Sequence, residues 1–341
     1  METVAVVGID LAKNVFQVHG TDASGRRVFN KSLRRASVAK FFANLPPCLV
    51  GMEACGSSHY WGRVISDLGH DVKLMPPQYV KPYVKTNKND AADAEAICEA
   101  VTRPSMRFVA VKTEDQQTLL LIHRERDGLV KDRTALINRL RATLGEFGIA
   151  VPAGRGRLKR WFQESYGDRE SELPPLMRRH IQRMRIRLTE LERFIADLDA
   201  EIDRDIARND ACRRLLEVPG IGRLSASALV ASVGNGHAFK SGRQLSAWLG
   251  LVPKQHSSGG KSVLRGISKR GDAYLRKMLI HGARAVLRHL NPKRKVLTRW
   301  LSDLLARANF NVVIVALANK LARITWALLN KGSRYVEPTA I

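Results

Sequence analysis

Two groups of residues in this chain have the types and spacing that chemistry needs. The first is a set of four carboxylates. Asp10 closes a β-branched run over Val4–Ile9, and Glu53 closes a short apolar run over Cys48–Met52. Acids placed directly after buried-type strands meet at one sheet edge when those strands are neighbours. Asp90 and Asp93, in the run Asn87-Lys88-Asn89-Asp90-Ala91-Ala92-Asp93, stand three apart and share one face of a helical turn. Four converging carboxylates repel one another unless divalent cations sit between them, and Mg²⁺ (or Mn²⁺) takes such oxygen ligands. Taken singly, Asp10 reads equally well as a turn residue, Glu53 as a surface acid and Asp90 as a helix N-cap. All four in this order on this strand pattern are far more specific.

The second group is Gln255–Gly266, Q-H-S-S-G-G-K-S-V-L-R-G. It offers hydroxyls at Ser257 and Ser258 on a backbone made pliable by Gly259 and Gly260, flanked by Lys254, Lys261 and Arg265. Small nucleophiles, freedom of φ and positive charge suit a loop that reaches a phosphate. A mobile surface loop looks the same. A P-loop fits poorly, because G-x-x-x-x-G-K-[ST] requires glycine where Gln255 stands and no apolar strand precedes it. His256 invites a Ser/His/Asp triad, yet adjacent residues rarely face one another productively, so that reading is weak. Between Ser257 and Ser258 the residues alone leave the nucleophile open.

Composition points to the partner. The 341 residues carry 57 Lys+Arg against 32 Asp+Glu, a net charge of +25, which is costly in self-repulsion unless a polyanion offsets it. Nucleic acid is the usual one. A membrane surface is the rival, but the most apolar stretch, Val312–Leu329, carries Asn319, Lys320 and Arg323. The chain opens directly on a strand-like run, so no signal peptide is expected. Cys48, Cys55, Cys98 and Cys212 are scattered, with no zinc-site spacing, as in a reduced cytosol. A cytoplasmic, nucleoid-associated protein is the expectation.

The positioning elements follow from periodicity. Val4–Ile9, Val15–His19 and Arg27–Leu33 read as three strands of a meander. Then come a helix over Ser37–Asn44, a strand over Cys48–Met52, a helix over Tyr60–Leu68, a strand over Asp71–Met75 and a helix over Asn89–Thr102. This is an α/β domain with a mixed sheet. Thr113 and Gln116 form a capping box that opens a helix through Leu119, Ile122, Leu129, Leu136, Leu140 and Leu144, ended by Phe147-Gly148. Val151–Arg160 reads as a loop or basic tip. A second helix after Pro174-Pro175 carries Met184, Leu188, Leu191, Ile195, Leu198 and Ile202, a heptad seam that packs within the chain or pairs two chains. An antiparallel hairpin of coiled-coil character is expected.

Leu215–Val233 has a helix–hairpin–helix pattern, in which Pro219-Gly220-Ile221-Gly222 turns the chain and the following helix start offers N–H groups to a phosphate. Ser241 caps a helix that Gly250 stops. Either Ser268 or Asp272 caps a basic helix through Tyr274, Arg276, Lys277, Arg284 and Arg288. Helices around Lys295–Ala306 and Val312–Leu329 close the chain.

G-I-D at 8–10, M-E-A at 52–54 and N-K-x-D-x-x-D-A at 87–94 resemble the DEDD set of a RuvC-like, RNase H-type nuclease domain. P-G-I-G at 219–222, W-L-G-L-V-P-K at 248–254 and S-S-G-G-K-S-V-L-R-G at 257–266 resemble the transposase domain that accompanies it in one family. That family is the DEDD insertion-sequence transposases, or bridge-RNA-guided recombinases. The resemblance spans nearly the whole chain, although the middle matches only in helical character. It implies a RuvC-like domain over 1–110 with Asp10, Glu53, Asp90 and Asp93 on metal, and a helical region over 111–208. A mainly α transposase domain would cover 209–341, with Ser258 as nucleophile. It further implies a phosphoserine-linked DNA intermediate and an element-encoded RNA that pairs with target and donor DNA. Composition is compatible with RNA guidance without showing it. Lys254, Lys261, Arg265, Lys269, Arg270, Gly220 and Gly222 are the expected nucleic-acid contacts, and strand exchange on two duplexes favours a homodimer or homotetramer. Two alternatives stand beside it: a RuvC-like junction nuclease using water, and a basic nucleic-acid scaffold without activity.

Overall fold

The computed structural model describes residues 3–84, 89–289 and 295–337. Asn87 and Lys88 of the acidic motif therefore lie outside the described residues. The chain divides into two compact units, Met1–Gln117 and Thr118–Ile341.

In the first unit, β1 (Val6–Asp10), β2 (Val15–Thr21) and β3 (Arg27–Arg34) form the antiparallel meander that their alternation implies. Helix α1 (Val38–Ala43) leads to β4 (Leu49–Glu53), and α2 (Ser58–Asp67) leads to β5 (Asp71–Met75). The short α3 (Pro77–Val80) and then α4 (Asp90–Val101) follow. The sheet order is β3-β2-β1-β4-β5, with β4 parallel to both β1 and β5. Strand side chains alternate between two layers. Val7, Ile9, Val50 and Met52 point into one core with Phe42, Trp61 and Ile65 of α1 and α2. Val6, Leu49 and Met75 meet Ile97, Ala100 and Val101 of α4 on the other.

The face under α4 has a notch. Gly8 of β1 and Gly51 of β4 are directly paired neighbours in the parallel ladder. A Cβ on Gly8 would stand 2.3 Å from the Ala94 carbonyl oxygen, and one on Gly51 would stand 2.8 Å from Val101 Cβ. The two glycines thus form a trough in which α4 lies against bare backbone. Both strands read Val-Gly-apolar-acid, Val7 to Asp10 and Val50 to Glu53.

The second unit begins within α5 (Glu114–Gly145). The capping box at its start forms as the sequence implies: the Gln116 N–H donates to Thr113 Oγ1 at 3.2 Å, and the Thr113 N–H donates to Gln116 Oε1 at 3.1 Å. Next come α6 (Arg155–Glu164), α7 (Tyr166–Glu170) and the long α8 (Pro175–Arg208). The expected loop over Val151–Arg160 is in its second half helix. Leu158, Trp161 and Phe162 sit at i, i+3 and i+4 and turn one apolar side toward Leu140, Leu144, Ile181 and Met184. The seam of α8 lies against the chain's own helices. Met184 and Leu191 share that core with α5, and Ile202 and Ile206 enter the next one.

That next core belongs to α9 (Asp210–Leu216), α10 (Arg223–Val233), α11 (Gly242–Trp248), α12 (Ala273–Arg288), α13 (Lys295–Leu305) and α14 (Phe310–Lys331). By length and composition α14 is apolar enough to cross a membrane, with half of that stretch buried inside the protein. Its buried residues, among them Val313, Leu317, Leu321 and Leu328, belong to the core it shares with its neighbours. Ser241 caps α11, accepting from the Gln244 N–H, and Asp272 rather than Ser268 caps α12, accepting from Tyr274 and Leu275. Between α11 and α12 the chain forms an antiparallel hairpin of β6 (Pro253–Gln255) and β7 (Leu264–Ile267). The serine segment, expected as a loose loop, is the end of that hairpin.

Candidate active site

The carboxylates of the first unit are brought together by the glycine trough. With α4 resting on Gly8, its first turn lies beside the C-terminal end of β1. One carboxylate oxygen from each of Asp10, Asp90 and Asp93 lies within 4.8 Å of the other two. Asp90 does not cap the helix. Asn89 does, its Oδ1 accepting from the Ala92 N–H at 2.8 Å, so the Asp90 carboxylate is not spent on that bond. Glu53 falls outside the three-way cluster, one position past the last β1–β4 pair, Ile9 with Met52. Its charge and that of Asp10 both act on Cys55. The residue is exposed, yet its thiol is pushed up from its ordinary value, by enclosure first and then by the negative charges of Glu53 and Asp10.

The donor set is all oxygen, the kind that hard divalent cations take. Two oxygens opposite one another around Mg²⁺ are roughly 4.2 Å apart, twice a ~2.1 Å bond. A three-oxygen group within 4.8 Å therefore fits one ion after small side-chain adjustments. Asp10 is held at a strand end, while Asp90 and Asp93 are held by a capped helix turn.

The serine hairpin is a different construction. Ser258 and Lys261 exchange both backbone bonds, at 3.3 and 3.0 Å, across a two-residue turn. Gly259 and Gly260 occupy that turn with φ of +54° and +76°. Positive φ at both central residues is the hairpin turn that matches strand twist, and it is the reason for two glycines. They fix the tip rather than loosen it. The His256 N–H donates to the Val263 carbonyl at 2.9 Å, and Gln255 pairs with Leu264.

This register sorts the side chains. Residues directly opposite one another share a face, and faces alternate along each strand. Ser258 therefore shares its face with Lys261, His256 and Val263, and the same alternation along each strand carries Lys254 and Arg265 to that side at the base, where the register shifts between Pro253 and Gln255. Ser257 lies on the other, with Gln255, Leu264 and Ser262. A side-chain bond confirms the sorting, since Gln255 Nε2 donates to Ser257 Oγ at 3.0 Å. All of these residues are exposed. Sequence reasoning set His256 aside because it adjoins Ser257. It missed that His256 and Ser258, two apart on a strand, project together; the period-2 signal was available once the segment was read as a hairpin.

The hairpin base is anchored. Arg276 Nη1 donates to the carbonyls of Leu249 and Arg270, each at 3.0 Å, and so joins the chain entering the hairpin to the chain leaving it. Asn319 Nδ2 of α14 donates to the Leu251 carbonyl at 3.2 Å. Lys269 and Arg270 are exposed beside the base. At the proposed helix–hairpin–helix turn, Gly220 packs against α12, where a Cβ on Gly282 would meet the Gly220 carbonyl at 1.8 Å. Gly222 precedes α10, whose first residue, Arg223, is bonded to Asp199 and Asp203 of α8. That turn is built into the scaffold on one side, and its Gly222 edge is exposed.

A mixed sheet of this order, with acids at the ends of adjacent parallel strands and on the helix laid across them, defines a RuvC/RNase H-like carboxylate domain. Here it is joined to a helical unit that carries a basic serine hairpin. Residues 7–149 match the family model of the DEDD IS110 type described as "Transposase", and residues 212–298 match that of the "Transposase IS116/IS110/IS902 family". The chain is 52% identical to a "Probable family 20 transposase" of Pseudomonas aeruginosa, over 96% of this chain and 98% of the relative. It is 44% identical to the transposase for insertion sequence element IS1328 of Yersinia enterocolitica, covering 98% and 99%. Identity is also 44% to the transposase for IS1111A of Coxiella burnetii, covering 98% and 92%. The chain belongs to the IS110/IS116 family of DEDD transposases.

Proposed function

We propose that this transposase cuts and rejoins DNA by direct attack of Ser258 on a phosphodiester, leaving a phosphoserine-linked strand that a second strand then releases. The observation that carries the reading is the hairpin face, which sets the Ser258 hydroxyl among Lys254, Lys261 and Arg265 and leaves Ser257 on the opposite side bonded to Gln255. A phosphate approaching that face is held by cations as charge develops on it. Transesterification by serine conserves the phosphodiester energy, as strand exchange requires.

Asp10, Asp90 and Asp93, joined by Glu53, would hold Mg²⁺ (or Mn²⁺), which when bound would supply positive charge to polarise a phosphoryl oxygen and stabilise the departing one. The chain's own part is to keep three carboxylates poised by a strand end and a capped helix turn. Lys269, Arg270 and the turn at Gly220 and Gly222, exposed at Gly222, add backbone contacts on donor and target DNA. On this reading residues 1–110 form the carboxylate domain, 111–208 the helical arm and 209–341 the serine domain, working as a homodimer or homotetramer. The large cationic surplus is compatible with an element-encoded guide RNA.

Trapping the covalent protein–DNA adduct tests the mechanism. Wild type and Ser257→Ala should form it, while Ser258→Ala should not and Asp10→Ala should lose cleavage altogether. Cleavage that survives Ser258→Ala but not Asp10→Ala would identify a nuclease that uses water. For the RNA, ribonuclease treatment of purified protein should abolish sequence-specific DNA binding; specificity that persists would show that the protein reads the site itself.

A further inference from the structure

We infer that His256 is the proton acceptor for Ser258, an assignment that rests on the serine reading above. A serine hydroxyl attacks phosphorus poorly until a neighbouring group takes its proton. From Pro253 to Gly271 the chain contains no carboxylate. On the face that Ser258 occupies, the other ionisable side chains are Lys254, Lys261 and Arg265, each a cation that offers hydrogens and accepts none. The neutral imidazole of His256 is the one group on that face of the hairpin able to accept.

The geometry favours it. Two residues apart on a strand, the backbones of His256 and Ser258 are separated by roughly 6.6 Å at ~3.3 Å per residue, and both side chains leave on the same side. An imidazole and a hydroxymethyl group together span most of that distance, directly or through one water. Both residues are pinned to the opposite strand, His256 through the Val263 carbonyl at 2.9 Å and Ser258 through Lys261 at 3.0 and 3.3 Å. Acceptor and nucleophile therefore ride on one pleat, and the hairpin carries its own base wherever it goes.

The step balances without a further reactant. The proton on Ser258 Oγ passes to a ring nitrogen of His256 as the Oγ–P bond forms. The P–O bond to the displaced deoxyribose oxygen breaks, and that oxygen keeps the electron pair and takes a proton from solvent. The imidazolium returns its proton to the serine when a second strand reverses the reaction. Lys261, directly opposite Ser258, offers its hydrogens to the phosphate.

The test uses the full chain expressed with its element and a plasmid carrying the element's ends, with adduct formation followed over time on denaturing gels. His256→Ala and His256→Gln should each slow the adduct by about 10²- to 10⁴-fold, while filter binding of the same plasmid stays within about twofold, since neither change touches the cations. Imidazole added to the buffer should restore part of the rate to His256→Ala and none to Ser258→Ala. A wild-type rate in either histidine variant would overturn the assignment. So would a rate loss matched by an equal binding loss, or a defect that imidazole leaves untouched. Adduct formed by Ser258→Ala is a separate result, and would remove the serine reading itself.

Discussion

Asp90 and Asp93 occupy the first turn of α4, where backbone N–H groups favour a negative charge by about 0.3–1 kcal/mol each. Opposing this is their mutual repulsion with Asp10, all three oxygens lying within 4.8 Å. The two effects act in opposite directions, so Asp90→Asn should change metal-free stability by less than about 1 kcal/mol. With metal the outcome differs. An ion at about 100 times its dissociation constant stabilises the folded chain by about 2.7 kcal/mol. Mg²⁺ should therefore raise the melting temperature of wild type and raise that of Asp90→Asn far less. Thermal unfolding with Mg²⁺ and with EDTA measures the difference, and equal shifts in both proteins would remove Asp90 from the metal. The grouping of Asp10 with Asp90 and Asp93 was legible in the sequence because the first ends a strand and the other two open a helix, whereas Glu53 falls outside that group. The cap at Asn89 was not, since Asn89 and Asp90 are both good caps and only the backbone shows which residue stands outside the helix.

At the scale of elements, α5 is tied to α10 and α12 through one buried histidine. His123, 1% exposed, bonds Tyr274 Oη at 3.1 Å through Nδ1 and Ser227 Oγ at 3.0 Å through Nε2. Either hydroxyl can donate or accept, so a neutral ring, donating through one nitrogen and accepting through the other, satisfies both bonds. Burial, reinforced by the Arg126 charge, pushes His123 down to about 4, and burial pushes Tyr274 up to about 12. Between pH ~6.5 and ~4 the unfolded chain binds a proton that the folded chain refuses, so stability falls as pH falls through that window. The full loss is on the order of 3 kcal/mol and levels off below pH ~4. Urea titrations across that range should show the slope in wild type and a much smaller one in His123→Gln, which keeps a donor and an acceptor but does not titrate. An unchanged slope would place the pH sensitivity elsewhere. Elements with strong apolar periodicity, such as α5, α8 and β1, could be read from the sequence because burial imposes that period. The start of α6 was hidden by Pro152, Gly154, Gly156 and a run of arginines, which mask Leu158, Trp161 and Phe162. The serine hairpin was hidden for the opposite reason: both its faces are exposed, so no alternation of apolar and polar residues marks its strands.

For the whole molecule the governing quantity is charge. Even if every one of the 32 acids were matched to a cation, 25 lysines and arginines would remain. Several acids are matched inside the second unit, Asp199 to Arg126 and Arg223, and Asp127 to Lys131 and Lys277. The surplus therefore faces solvent, where phosphates release their counterions on contact. Affinity for duplex DNA of unrelated sequence should fall on a log–log plot with a slope of about −0.9 for each phosphate neutralised. If six to ten phosphates are engaged, raising salt from about 50 to about 200 mM should weaken binding by about 10³- to 10⁵-fold. The hairpin should account for a countable part of that slope. Lys254, Lys261 and Arg265 stand on one face, so replacing any one with Gln should flatten the slope by about 0.9, and replacing Gln255 on the other face with Ala should leave it unchanged. Fluorescence anisotropy across a salt series reads both numbers. A slope indifferent to the three cations would mean that DNA does not meet the Ser258 face, and the surplus charge would then have to find its phosphates elsewhere on the chain.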